Sequence, residues 1–299
     1  MAATFFCVCF HGPGPRQNII KQEKHNNAAN FLGNLQKFKE RFKFYQIRFS
    51  DLDKALTKNV DTIIFDLGLS SIQLKNLKRG FSFNSKESPD MRMGLNSINA
   101  QEVLNNFNLK TLTDIFKLLG EEKDGFRIAR NIVKARKKKA ISSIDELVNI
   151  IKRSKRNNFK KKINISTKAF QAIRIFVNKE ISELVDGLIK ATKLLKAGGK
   201  IVVVNFHSIE DKIVKFFFTN FSGNKSRGSR YYPEQQQKNI LFENYKNKVI
   251  KPSIKEIEIN SPSRSAKLRF ATRSKDNFFY PEDLKNKFSN YLELENRYV

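Results

Sequence analysis

Asp66-Leu-Gly-Leu-Ser-Ser-Ile-Gln-Leu74 is the stretch of sequence from which the fold can be worked out. It follows Val60-Asp-Thr-Ile-Ile-Phe65, a short apolar run rich in β-branched residues that predicts a buried parallel strand. The chain becomes polar at Asp66, and Gly68 then allows a bend or a close approach of the backbone to a ligand. In open α/β sheets, ligands bind just beyond the carboxyl ends of the strands. The stretch therefore predicts an α/β sheet with Asp66 at its ligand-binding edge.

A long loop follows this strand. Residues 76–96 show neither helical nor strand periodicity, and they include Lys78-Arg-Gly-Phe-Ser-Phe83 and Pro89-Asp-Met-Arg-Met93. Compact domains rarely carry such a long loop without a use for it. The loop is therefore expected to take part in function.

The charge of the chain indicates a polyanionic partner. Among 299 residues, Lys and Arg number 57, Asp and Glu number 29, and the formal net charge at pH 7 is +28. A compositional bias of the coding sequence could inflate Lys together with Asn, Ile and Phe. Such a bias does not explain why cations outnumber acids two to one, so nucleic acid is the favoured partner.

Cysteines and apolar runs exclude several other classes. Cys7 and Cys9 are the only cysteines, too few for a disulfide framework or a zinc site, and no metal is predicted. No apolar run reaches the length of a membrane span, and no charged-then-apolar leader begins the chain. A cytoplasmic protein without a membrane partner is expected.

Six motifs in a fixed order resemble one family, the S-adenosylmethionine-dependent methyltransferases that modify N4 of a cytosine in 16S ribosomal RNA (the RsmH or MraW family). The resemblance covers roughly residues 30 to 272. The motifs are Asp66–Leu74, the two loop motifs above taken together, Arg127-Ile-Ala-Arg130 after Gly120-Glu-Glu, Ala169-Phe-Gln-Ala-Ile-Arg-Ile-Phe-Val-Asn178, Asn205-Phe-His-Ser-Ile-Glu-Asp211 and Ser261-Pro-Ser-Arg-Ser-Ala-Lys-Leu-Arg269.

The resemblance implies a Rossmann-like class I methyltransferase sheet with an inserted all-helical domain. The expected bounds are 1–96 and 176–299 for the two parts of the methyltransferase domain, and 97–175 for the basic helical insert. A helical pattern over residues 166–196, the pair Gly198-Gly199 and the strand Lys200–Phe206 fit this layout. Lys255–Ile259 and residues 267–272 alternate like antiparallel strands at a sheet edge.

The implied cofactor is S-adenosyl-L-methionine, and the implied contacts to it come from Phe49, Asp66 and Gln73. Phe49 would end a strand over residues 44–49 and pack beside the adenine. The alternative for Phe49 is an ordinary core aromatic. Asp66 is also the candidate for polarising the target amine, because an oxygen that accepts its N–H groups favours the reactive geometry. These two roles of Asp66 remain open. His207 lies at a strand end within a family motif, which favours a place in the active site without defining a proton-transfer role.

The implied partner is 16S ribosomal RNA in the small ribosomal subunit, and a homodimer is also compatible with these features. A target base inside structured RNA would have to be flipped out, with Phe81 or Phe83 available to stack on it. Anchoring of the loop is an equal alternative for these two rings. The loop cations Arg79 and Arg92 are further candidates. Two Lys/Arg runs favour contact with the RNA backbone, and the alternative for both is a solvated face. The first run extends from Arg127 to Lys139. The second extends from Lys152 to Lys162 and ends with Lys160, Lys161 and Lys162.

The N-terminal residues depart from the family pattern. A strand, a loop of the form TFGxGGH and a helix are expected there. Thr4-Phe5 and Asn18-Ile-Ile20 resemble the two ends of this segment, but Gly12-Pro-Gly-Pro15 between them lacks the motif, and proline removes N–H donors. The strand residues before the motif and the next strand, which ends in an acidic residue, have no counterpart. Two alternatives follow: an RNA-binding protein of the same fold that has lost cofactor binding, or a truncated or frameshifted reading of the gene.

Overall fold

The computed structural model describes residues 6–11, 16–21, 42–45, 47–57, 59–69, 77–94, 98–155, 164–223, 239–243 and 245–297, with the backbone alone for 6–44. The predictions for Gln73, for the Gly-Pro segment 12–15 and for Lys160, Lys161 and Lys162 lie outside the described residues.

The described strands form one mixed sheet with the order β3-β2-β1-β4-β5-β6. β1 is antiparallel to both β2 and β4, β2 is parallel to β3, β4 is parallel to β5, and β6 is antiparallel to β5. The strands are β1 (Phe6–His11), β2 (Arg16–Lys21), β3 (Phe42–Tyr45), β4 (Val60–Asp66), β5 (Leu195–Asn205) and β6 (Lys267–Thr272).

The helices lie mostly between β4 and β5 in the sequence. A π-helical turn, Ile115–Leu119, directly follows the helix Leu109–Asp114. They are α1 (Leu52–Ala55), α2 (Ala100–Asn106), α3 (Leu109–Asp114), α4 (Gly125–Arg136), α5 (Ile144–Ser154), α6 (Thr167–Asn178), α7 (Glu180–Leu194), α8 (Ser208–Asn220), α9 (Ile254–Ile259), α10 (Glu282–Lys287) and α11 (Ser289–Asn296). Within the described residues, no helix is long and apolar enough to cross a membrane.

The chain divides into two compact units. The sheet unit comprises Thr4–Gly68 and Glu183–Phe288, and the helical unit comprises Met1–Ala3, Leu69–Ser182 and Ser289–Val299. The helical unit thus begins earlier and ends later than the range 97–175 expected from the sequence, because the loop after β4 and the C-terminal helix α11 belong to it.

The two central strands form where the sequence predicted them, but β5 begins at Leu195 and not at Lys200, so Gly198-Gly199 lies within the strand. β4 ends at Asp66 as predicted, and β5 runs parallel to it with Phe65 opposite Val203. Ile63 and Phe65 of β4 are fully buried, as are Ile201 and Val203 of β5. Burial of such β-branched and aromatic side chains supplies the main driving force for forming these strands.

Helix α7 covers one face of these strands at very short range. A Cβ atom at Gly187 would lie 2.8 Å from Cβ of Phe49 and 3.3 Å from Cε1 of Phe65. Both rings are fully buried and meet edge to face, with their centroids 4.9 Å apart. The absence of a side chain at Gly187 therefore allows α7 to pack against the end of the sheet.

Four expectations about secondary structure are wrong. Lys255–Ile259 lies in helix α9, because the Ser253 side chain caps its start by accepting from the Glu256 amide. The pattern over 166–196 forms two helices, α6 and α7, separated at Lys179, which has left-handed backbone geometry with φ of 52°. Asn18–Ile20, expected at the helical end of the N-terminal segment, lies in strand β2. Phe49 begins a short 3-10 helix, Phe49–Asp51, beyond the end of β3.

Candidate functional site

The carboxyl ends of β4 and β5 place two polar residues on neighbouring strands. β4 ends at Asp66, which is opposite Val204, and β5 ends one residue later at Asn205. The pairing continues past the end of β4, because the Leu67 amide donates to the Val204 carbonyl at 3.0 Å. Gly68 then adopts φ of +91°, which favours glycine, and a Cβ there would lie 3.3 Å from the Phe206 ring. The sheet edge therefore forms as the sequence predicted.

Asp66 is half-buried at this edge. Burial raises the pKa of its carboxyl group, and the nearby Glu210 carboxylate raises this pKa further. A carboxylate held in this way retains a strong tendency to accept a hydrogen bond. Such a group can accept a hydrogen bond from an N–H donor.

His207 begins helix α8 as its N-cap. Its Nδ1 accepts from the Glu210 amide at 3.4 Å, and its Nε2 lies 3.1 Å from Oε1 of Glu210. Glu210 reaches back and accepts from the Phe206 and His207 amides at 2.9 and 3.3 Å, which completes a capping box. An accepting Nδ1 leaves the proton of a neutral ring on Nε2, which is buried and makes no hydrogen bond within the described part of the chain. The structure thus gives the predicted His207 a capping role and places Glu210 at the site.

Asn205 is the residue that the sequence prediction missed. Its side chain is fully buried, and neither Oδ1 nor Nδ2 has a hydrogen-bond partner among the described residues. Leaving a buried polar group unsatisfied costs about 1–3 kcal/mol. An asparagine at the end of the apolar run Ile201–Val204 was the available signal. The amide offers one donor and one acceptor side by side, which suits a ligand with the complementary pair.

Phe49 and the loop aromatics are packed into the protein. Phe49 has no exposed surface and contacts Phe65, so the described packing favours the core role that the sequence left open. Phe81 is buried, and the Phe83 ring lies 6.3 Å from the Phe170 ring of α6 in an edge-to-face contact. For both loop rings, the observed contacts favour anchoring of the loop.

The loop cations hold the loop together. The Arg79 guanidinium donates to the Arg92 carbonyl and lies 5.2 Å from the centroid of the Phe81 ring. Arg92 pairs with Asp90 at 2.6 Å, which raises the pKa of its guanidinium. Both predicted RNA-binding arginines therefore make internal contacts, and each has a structural role within the helical unit.

Asn178 anchors the same loop to α6. Its Oδ1 accepts from the Met93 amide at 2.7 Å, while its Nδ2 donates to the carbonyls of Met91 and Arg174 at 2.9 and 2.8 Å. Both methionines are buried, and Met91 has φ of 55°. The motifs that suggested a functional loop also encode this anchoring.

The first Lys/Arg run divides into paired and exposed cations. Arg127 lies 3.6 Å from Asp124, Arg136 donates to the Leu104 carbonyl at 2.7 Å, and Lys139 pairs with Glu146 at 2.9 Å. Among the described residues no acidic group pairs with the remaining members of this run. These exposed cations are Arg130, Lys134, Lys137 and Lys138.

In the second run, Lys155 is held by internal contacts. It donates to Glu122 at 2.6 Å and to the Ile165 carbonyl at 2.5 Å. Lys152 and Arg153 are exposed. The described part of this run therefore contains both kinds of cation, as the first run does.

The fold defines a protein of the mixed α/β class, with two polar residues at the carboxyl ends of its central strands. Comparison of the chain with known families then gives its membership: it matches the MraW methylase family over residues 14–274 and belongs to that family.

Curated relatives agree with this assignment. The ribosomal RNA small subunit methyltransferase H of Agrobacterium fabrum (strain C58) is 42% identical over 235 residues, which cover 78% of this chain and 69% of the relative. The proteins of that name from Bartonella bacilliformis and Parvibaculum lavamentivorans are each 39% identical, over 240 and 241 residues. These matches cover 80% and 79% of this chain, and 72% and 71% of the relatives.

Proposed function

We propose that this protein transfers a methyl group from S-adenosylmethionine to N4 of a cytosine in small-subunit ribosomal RNA, in the cytoplasm. Family membership and the names of the relatives support methyl transfer to this RNA. The observation that carries the proposal is the placement of Asp66 and the unsatisfied amide of Asn205 at the paired carboxyl ends of β4 and β5.

The residues at this edge fit a small polar ligand. Asn205 can satisfy its buried amide only with a group that offers both a donor and an acceptor. By resemblance, Asp66, Gln73 and Phe49 would hold S-adenosylmethionine, which supplies an electrophilic methyl group when it is bound. Phe49 would contribute through its edge-to-face packing against Phe65, which shapes this side of the site.

The remaining chemistry is orientation and polarisation. Cytosine N4 is a poor nucleophile, because its lone pair is delocalised into the ring. The Asp66 carboxylate would accept an N–H of the amine and orient the lone pair for in-line attack. Asn205 would bind another part of the ligand, because Asp66 is opposite Val204 and side chains alternate along a strand, which directs the Asn205 amide to the other face of the sheet. His207 would act as a positioning residue that fixes Glu210 beside Asp66.

One observation favours a second function, an RNA-binding protein of this fold that does not bind the cofactor. β1 and β2 form an antiparallel pair at Phe6–Lys21, where the family pattern has a strand, a Gly-rich loop and a helix. Phosphate and nucleotide ligands are commonly held by such a loop and the helix N-terminus that follows it. Within the described residues of this segment, 6–11 and 16–21, the chain forms strands and not this helix.

Calorimetry and methylation assays separate the two functions. The purified chain is titrated with S-adenosylmethionine and then incubated with small ribosomal subunits that lack the modification and with a labelled methyl donor. The proposal expects saturable heat and label on N4 of a cytosine. Binding of ribosomal RNA without heat from the donor and without label would identify the RNA-binding protein instead.

A further inference from the structure

The outer face of helix α4 carries a continuous row of cations beside one aromatic ring. With about 100° of rotation per residue, Phe126, Arg130, Lys134 and Lys137 lie within roughly 80° of arc. The opposite face is the buried one, formed by Ile128, Ala129 and Ile132. The amphipathic pattern thus orients the helix and leaves the basic row in solvent.

The charges of this row are not neutralised by neighbouring acids. Arg130, Lys134 and Lys137 are exposed, and no ion pair involves them among the described residues. Helix α4, with the sequence GFRIARNIVKAR, contains no Asp or Glu. Uncompensated cations spaced along one helix attract a polyanion, because each contact with a phosphate releases a condensed counterion.

Phe126 stands at the start of the same face with 46% of its surface exposed. Removing this apolar surface from water favours a partner that covers the ring. Stacking on aromatic rings is how single-stranded nucleic acids are held without sequence preference, and it requires bases that are not paired within a duplex. Phe126 is therefore placed to stack with a base, and the three cations are placed to contact the phosphates that follow this base in the strand.

We propose that the outer face of α4 binds a single-stranded segment of RNA, with a base stacked on Phe126 and the following phosphates bound by Arg130, Lys134 and Lys137. This inference rests on the proposed function only in taking RNA as the partner. It adds to that function where the RNA strand binds and that its bases there are unpaired.

The chain contains no tryptophan, so Phe126→Trp introduces a single emitting indole at this position. The probes are a single-stranded RNA of about 12 nucleotides, within the usual site size for such surfaces, and a duplex of equal length. Ile254→Trp is the matched control, because Ile254 is 77% exposed on helix α9 of the sheet unit. Stacking should quench the indole at position 126 on addition of the single strand, and should leave the indole at position 254 unchanged.

Affinity measurements separate stacking from charge. Phe126→Ala should weaken binding of the single strand roughly 5- to 100-fold and leave duplex binding unchanged, whereas Phe126→Tyr should retain the affinity. Arg130→Gln combined with Lys134→Gln should weaken binding of both RNAs. For the single strand this pair should reduce the slope of log affinity against log salt by about 1.4. Circular dichroism checks that each variant is folded.

Three results would overturn the proposal. These are equal affinity of the single strand for the parent and a folded Phe126→Ala variant, equal quenching at positions 126 and 254, and quenching at 126 by polyglutamate as strong as by RNA. The last result would identify an acidic protein as the partner. The titrations contain no methyl donor, so their outcome is independent of whether the chain methylates RNA.

Discussion

Asp66 pays a cost in stability for its position at the site. Burial and Glu210 raise the pKa of Asp66 above its ordinary value of 3.8, so losing the proton is less favourable in the folded protein than in the unfolded chain. This penalty is absent below the unfolded pKa and grows as the pH rises through the folded one. Asp66→Asn should therefore raise the unfolding midpoint at neutral pH, and the gain should vanish towards pH 4, as thermal melts at several pH values would show.

Asp53 supplies the matched control for this prediction. Its pKa is lowered by the hydrogen bond from Lys190, so Asp53→Asn should not stabilise the protein at neutral pH. If Asp66→Asn unfolds more easily than the parent at pH 7, the carboxylate is not strained in the folded state.

Asp66 should also be required for methyl transfer. Asp66→Ala removes the acceptor for the amine N–H and should abolish label transfer to the RNA, while circular dichroism shows a folded protein. The reaction rate of the parent should fall as the pH drops through the raised pKa, and Glu210→Gln should move this limb to lower pH. Unchanged turnover in folded Asp66→Ala would remove Asp66 from the site.

Replacing Asn205 by an apolar residue should change stability and activity in opposite directions. Asn205→Leu replaces the unsatisfied buried amide by an apolar group of similar size and should raise the free energy of unfolding by about 1–3 kcal/mol. Methyl transfer should fall at the same time, because the ligand loses both hydrogen bonds. Denaturant unfolding and single-turnover assays test the two effects. A variant with full activity would show that the amide has no ligand.

At the scale of elements, the loop after β4 depends on one asparagine of α6. Asn178→Ala removes three hydrogen bonds and leaves the buried Met93 amide without its acceptor, which should cost roughly 2–4 kcal/mol of unfolding free energy. The control is Asn131→Ala, which removes one side-chain hydrogen bond, to Ser154, and should cost about 1 kcal/mol. Equal losses for the two variants, measured in urea, would contradict the anchoring role.

The helices themselves follow local rules. Asn99 with Glu102 and Ser143 with Glu146 form capping boxes at the starts of α2 and α5. These interactions connect residues only three positions apart, so the sequence was sufficient to find them. Asn108 caps the start of α3, where its side chain accepts from the Thr111 amide.

At the scale of the whole molecule, the net charge of +28 should appear as a strong salt dependence of RNA binding. Replacing Lys160, Lys161 and Lys162 by Gln should weaken binding about equally across RNA sequences and flatten the slope of log affinity against log salt. Methylation at saturating RNA should barely change, because these lysines would touch the backbone and not the flipped base.

A second triple variant distinguishes a local contact from total charge. Lys246, Lys248 and Lys251 are exposed in the sheet unit, and their replacement by Gln changes the net charge by the same amount. It should affect binding less than the first triple variant. If the parent and the first variant bind RNA with equal affinity at every salt concentration, residues 160–162 form a solvated face that does not contact the RNA.

The sequence by itself determined the features that depend on short stretches of chain. The β-branched run before Asp66 specified strand β4, the capping boxes specified helix starts, and six ordered motifs specified the family. Lys255–Ile259 was read as a strand because its alternation of apolar and charged residues has period two. In the structure this segment is an exposed helix, so no sheet buries one of its faces and the alternation has no effect on its conformation.

Tertiary structure decided which polar residues have partners. Residues distant in sequence meet only after packing: Asn178 holds Met93, and Arg79 holds Arg92, so these motif residues have internal roles that their spacing does not show. Among the described residues, Asn205 and the α4 cations Arg130 and Lys134 have no such partners, and this cannot be read from the sequence. A side chain is available for function only if folding leaves its hydrogen bonds or its charge unsatisfied, and this depends on every element that packs around it.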